Sequence, residues 1–146
     1  MDAAMTTHAL LFAMVAMALW GVAPVLGKLG LKGIDPLAAL AIRSGAVTLA
    51  LAAAVTVTGR WPQVLAAPPR EAGLIVLEGL FAALLGQLAY YYALKYGEVG
   101  KVAPTVAAFP LVAVAVGLAV LGEKLTWGKA LGALLIAAGV VLVNYR

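Results

Sequence analysis

One carboxylate stands inside a long apolar run: Glu78, with uncharged residues for six positions before it and sixteen after it. An ionised acid at the centre of a bilayer costs about 2.5–3.5 kcal/mol on insertion scales, so such a residue normally faces a bundle interior or a watery path. There it could carry a proton or hold a cationic group. The plainer alternative is a side chain that reaches the nearer interface and is solvated there. At 100° per residue its helical face also holds Ala82, Gly86, Ala89 and Ala93, small residues that would admit a neighbouring helix or a ligand. Arg43 is the second ionisable residue inside an apolar run. Its long stem could snorkel to the headgroups, or its guanidinium could meet a solute. Counting 1.5 Å per residue, Arg43 lies roughly 10 Å from one membrane face and Glu78 roughly 24 Å from that same face, so they are not a pair within one chain. Arg43 is level instead with Gln87 and Tyr91, on a face expected to lie opposite Glu78.

Backbone breakers supply the next signals. Trp20, Pro24 and Gly27 share one face of the first apolar run, with Trp20 near mid-membrane and Pro24 loosening the local ladder. Pro104 and Pro110 fall within a later run, where each lacks an N–H and crowds the carbonyl four residues back, that of Gly100 or Val106. Pro110 shares its face with Ala103, Ala107, Ala113 and Gly117 and is the candidate flexible point of a path. The last run carries Gly128, Gly132 and Gly139 on one face, the first two forming a G-x-x-x-G that permits close helix contact.

Several chemistries are excluded. The chain has no cysteine and one histidine, His8, so thiolate chemistry and Cys/His metal clusters are out. There is no P-loop, no nucleophile elbow and no pair of carboxylates in one site. An enzyme is therefore not expected, nor any cofactor. The net charge of +4 comes from basic residues scattered through short loops, not the clustered patch of a nucleic-acid binder.

These residues need a membrane to position them. Of 146 residues, 65% are hydrophobic and 11% charged, whereas a soluble domain has about 45–50% and about 25%. The fold class expected is all-α: a polytopic membrane protein of one domain, with five spans near residues 8–27, 36–58, 71–94, 102–121 and 127–145. Each approaches the ~20 residues that cross the hydrocarbon core. Residues 1–8 lack the basic region of a signal peptide, so the first run is read as a retained helix. Asp35-Pro36 offers an N-cap followed by proline at the first helical position. Thr126 could cap the last helix, and Glu123 and Lys124 form a solvated turn before it. The longest loop, residues 59–70, holds Trp61 and three prolines. With an odd number of spans the termini lie on opposite sides. Trp61 and Trp127 then mark the interface on the side of the N-terminus, and Tyr90, Tyr91, Tyr92, Tyr96 and Tyr145 the other.

In this arrangement the motifs resemble one EamA-type domain of the drug/metabolite transporter superfamily over nearly the whole chain. The resemblance rests on A-L-W-G-V-A-P at 18–24, A-I-R-S-G at 41–45, Y-Y-A-L-K-Y-G-E-V-G-K-V-A at 91–103, F-P-L-V at 109–112 and, above all, L-G-E-K-L-T-W-G-K-A-L-G-A-L-L-I-A-A-G at 121–139. It implies an α-helical secondary transporter of small organic solutes, often an exporter. Members usually join two such domains in inverted orientation, so a single domain implies a partner half. The small multidrug exporters of the same superfamily use a glutamate in the first helix. This chain has none there, which weakens the alternative of a proton-coupled exporter of lipophilic or guanidinium-type cations. A non-transporting membrane subunit or assembly factor is the remaining alternative.

The loop charges bear on the partner. Arg60, Arg70, Lys124 and Lys129 fall on the N-terminal side, and Lys28, Lys32, Lys95, Lys101 and Arg146 on the other, four against five, with Arg43 left out because it lies within a span. So balanced a distribution scarcely biases orientation. The expectation is dual topology in a bacterial or archaeal inner membrane and an antiparallel homodimer, with Gly128, Gly132 and Gly139 in the contact. A heterodimer with a second half is the alternative.

Overall fold

The computed structural model describes residues 6–145. Residues 1–5, part of the signal-peptide reading, and Arg146, part of the loop-charge count, lie outside the described residues. Among those described there is no strand, and five helical stretches are long and apolar enough to cross a membrane: Thr7–Gly30, Pro36–Val57, Pro69–Tyr96, Val99–Val120 and Trp127–Asn144. The chain is a multi-pass membrane protein. It forms two compact units, one ending at Tyr96 and the other beginning at Gly97.

In the first unit, α1 (Thr7–Gly30) is capped by the Thr6 hydroxyl, which accepts from the Ala9 N–H. Asp35 caps α2 (Pro36–Val57) by accepting from the N–H groups of Leu37 and Ala38, with Pro36 in the first turn, where no N–H is required. The far end of α2 closes on Gly59 at φ +64°. The Gly59 N–H donates to Thr56 and the Arg60 N–H to Val55, a Schellman arrangement that needs the left-handed residue. The loop expected at 59–70 contains a short helix, α3 (Trp61–Leu65), whose Trp61 indole donates to the Thr56 hydroxyl. The few buried apolar side chains of this unit, Leu31, Leu40 and Leu94, gather where α1 ends, α2 begins and the third span ends.

The third span is not one α-helix. α4 (Pro69–Gly79) passes into a π-helical segment, Leu80–Gly86, and then α5 (Gln87–Tyr96). The Gln87 N–H donates to the carbonyl of Ala82, five residues back. Wider turns take up additional residues, so the 100° phase cannot be carried across this segment. Two expectations are corrected as a result. The stripe Glu78–Ala82–Gly86–Ala89–Ala93 is not a continuous α-helical face, and the placing of Gln87 and Tyr91 opposite Glu78 loses its basis. Gln87 and Tyr91, four apart within α5, still share a face.

In the second unit the fourth span also breaks. α6 (Val99–Val106) and α7 (Phe109–Val120) are separated by a turn at Ala107 and Ala108. Pro110 does not kink a helix interior, as expected; it sits in the first turn of α7, where its missing N–H costs least. The break itself lies just before it, and the Leu111 N–H donates to Ala108, three residues back. Pro104 does lie inside α6. Next to it the Thr105 hydroxyl donates to the Lys101 carbonyl and accepts from the Asn144 amide. α8 (Trp127–Asn144) starts on Thr126, whose hydroxyl accepts from the Lys129 N–H.

The π segment makes a test of sign. A Cβ built on Gly86 would stand 3.0 Å from the Phe81 carbonyl oxygen, whereas one on Gly79 meets nothing within 4 Å. Gly86→Ala should lower stability by about 1–3 kcal/mol, because backbone must shift. Gly79→Ala should be neutral or gain up to about 1 kcal/mol from helix propensity. Thermal unfolding of both variants in detergent checks this; equal responses would remove the wide turn at Gly86.

Candidate functional site

At the end of the first unit where its core lies, α1, α2 and α5 line an open cleft of about 370 Å³. That lies within the 300–1,000 Å³ of ordinary small-molecule sites. Ala23, Gly27 and Gly30 supply one wall from α1, at the spacing of a single helical face. Ile42 and Arg43 face them from α2, and Tyr91 from α5. The glycines make the space. A Cβ on Gly27 would be in ordinary contact with Leu94 and Tyr91, at 3.5 and 3.8 Å, and one on Gly30 meets nothing within 4 Å.

The frame of the cleft is fixed by Lys28. Its ammonium donates to the carbonyl oxygens of Leu94 and Lys95, the last turn of the third span. A cation there satisfies carbonyls with no intrahelical partner and lies at the negative end of the helix dipole. The contact ties the end of α1 to that of α5, and the neighbouring Leu31 and Leu94 are buried beside it. This lysine was read only as a loop charge. Its position one turn from the end of an apolar run is the signal that could have flagged it.

The structure thus brings together two of the residues singled out from the sequence, Arg43 and Tyr91. Arg43 lines the cleft, is exposed, and makes no hydrogen bond or ion pair with another described residue. Gln87 is partly buried on α5, one turn before Tyr91, and does not line the cleft. Pro24 is buried. Trp20 is 70% exposed and is not part of the cleft. Glu78 is exposed, one residue before the end of α4, and has no partner among the described residues.

In the second unit Pro110 is partly buried at the start of α7. Gly128, Gly132 and Gly139 each have open space where a Cβ would stand. The turn before α8 is exposed, as a solvated turn would be, and is closely hydrogen-bonded. Gly122 takes φ +63°, the Glu123 N–H donates back to Gly117, and the Glu123 carboxylate pairs with Lys129 in the first turn of α8. Gly117 is buried under that carboxylate, with room for a Cβ only at 3.3 Å from Glu123 Cδ. Among the described residues no cluster of His, Cys, Asp and Glu could hold a metal ion.

The chain is 35% identical over 133 residues to a Sinorhizobium protein named an uncharacterized transporter in the cobO 3' region, a match that spans 90% of this chain and 93% of the relative. No solved structure gives a significant match. The family model for EamA-like transporters matches residues 7–145, which takes in all five spans. The chain belongs to the EamA-like transporter family.

Proposed function

We propose that the chain is a secondary transporter that exports small organic solutes across the inner membrane of a bacterium or archaeon. Two copies form the working unit, antiparallel and related by a two-fold axis in the membrane plane, and they operate by alternating access. One observation carries this reading beyond family membership. Glu78 and Arg43 stand inside apolar spans with no partner among the described residues of their own chain. A scaffold has no need of them, whereas a solute path uses charges that are free to bind and release. Arg43 and Tyr91 contact the solute in the cleft. Gln87, Trp20 and Pro24 belong to the same path, Trp20 on the outward surface that a second copy would meet. Glu78, beside the π segment, carries the coupling proton or cation. The break before Pro110 is the joint that bends within the second unit, and Gly128, Gly132 and Gly139 give part of the contact between copies.

Under a pH gradient in proteoliposomes, Glu78→Gln should abolish coupled flux while leaving insertion and elution volume unchanged. Wild-type flux in that variant would remove Glu78 from coupling.

Pro110→Ala should allow α6 and α7 to join more continuously and should slow turnover at unchanged expression. Turnover equal to wild type would make the proline a packing residue only.

Orientation is tested in cells. C-terminal fusions to a cytoplasmic and a periplasmic reporter should both be active, and two or three added lysines on one side should silence one of them. Activity of a single reporter throughout would rule out the antiparallel homodimer in favour of a parallel dimer or a heterodimer with an oppositely oriented half.

A further inference from the structure

The cleft between α1, α2 and α5 says what kind of solute fits it. Its lining residues include one charged residue, Arg43, and one tyrosine, Tyr91; the others are alanine, leucine, isoleucine and glycine. No Asp or Glu lines it. The nearby Lys28 ammonium adds a second positive charge, directed at the carbonyls of Leu94 and Lys95. A cation brought into this cleft would meet like charge. A zwitterion would find a partner for its carboxylate but no carboxylate for its ammonium.

Arg43 is seven residues into its helix, roughly 10 Å along the span. Arg43 is exposed in the single chain and pairs with no described residue, so its guanidinium is free to form a charge-assisted pair with a bound anion. The planar fork of arginine matches a carboxylate through two parallel hydrogen bonds. The remaining wall, with Ala23, Gly27, Ile42 and the ring of Tyr91, suits an apolar body.

We propose that the Arg43 cleft binds a small organic monoanion, a carboxylate on a largely apolar body, as the transported solute. This rests on the transporter reading and narrows it to a substrate class. The same guanidinium chemistry could serve an anionic lipid headgroup, so the test separates the two.

The test uses the full chain in nanodiscs of phosphatidylcholine, with binding of radiolabelled benzoate and hexanoate read by scintillation proximity. Unlabelled benzoate should compete, and benzamide and benzylamine, of the same shape but neutral or cationic, should not. Arg43→Gln should weaken binding roughly tenfold or more, the loss of one charge-assisted pair. Arg43→Lys should keep part of it. Gly30→Leu, at a position where a Cβ meets nothing within 4 Å, should reduce binding with the charge intact by filling the cleft. Failure of both acids to bind, or binding indifferent to Arg43→Gln, overturns the proposal. So does loss of acid binding on adding phosphatidylglycerol to the discs, which assigns Arg43 to headgroups. Flux of amines or amino acids in proteoliposomes without acid binding would overturn the anion class alone. Absence of flux for every solute would sink the transporter reading itself.

Discussion

Inside hydrocarbon a backbone carbonyl has no water to accept from, so every interruption of a helical ladder must be repaired by the protein itself. This constraint explains much of the polar detail in the chain. The ammonium of Lys28 closes the end of the third span by donating to the Leu94 and Lys95 carbonyls. The hydroxyls of Thr56, Thr58 and Thr105 donate to carbonyls of their own helices, at Ala52, Ala54 and Lys101. Leu80–Gly86 exchanges bonds four residues back for bonds five back rather than leaving groups unmet. At Ala107 and Ala108 the fourth span breaks, and the N–H groups of Ala108 and Leu111 donate three residues back. The π segment and the break at Ala107 and Ala108 are places where the backbone departs from a straight α-helix, and departures of this kind are what transporters use at their binding sites.

The side chains follow a different rule. Among the described residues few apolar side chains are buried, Leu31, Leu40 and Leu94 with Pro24 and Pro36, while most large apolar groups point outward. With lipid as apolar as leucine, burial gives little drive to association. Close packing, polar contacts and small residues decide where helices meet. The cleft of the first unit fits that picture: glycines at 27 and 30 leave room, and Arg43 is the one charged residue that lines it. The open surface at Gly128, Gly132 and Gly139 is a comparable allowance in the second unit.

The spans were legible in the sequence because length and apolarity alone set them, and every boundary falls within three residues of its expectation. The caps at Asp35 and Thr126 were legible because a side-chain oxygen before an apolar run has one obvious use. The π segment was not legible. Glycines at 79 and 86 weaken a helix, but nothing in L-F-A-A-L-L selects i−5 bonds over i−4 bonds, and a 100° phase cannot be carried through it to define the Glu78 face. The break before Pro110 was read as a kink at Pro110, because a proline shows where an N–H is missing and not which neighbour absorbs the change. Arg43 and Tyr91 could be placed level by counting residues. The exclusion of Trp20 from their cleft could not, since it depends on how α1 rotates against α5.

The account stands most directly on transport by this one polypeptide. The purified chain, reconstituted alone in proteoliposomes, should move at least one class of small solute, among apolar carboxylates, amino acids, amines and lipophilic cations, faster than protein-free vesicles. Flux no greater than that of empty vesicles across the whole panel, from protein shown to be inserted and paired, would contradict it.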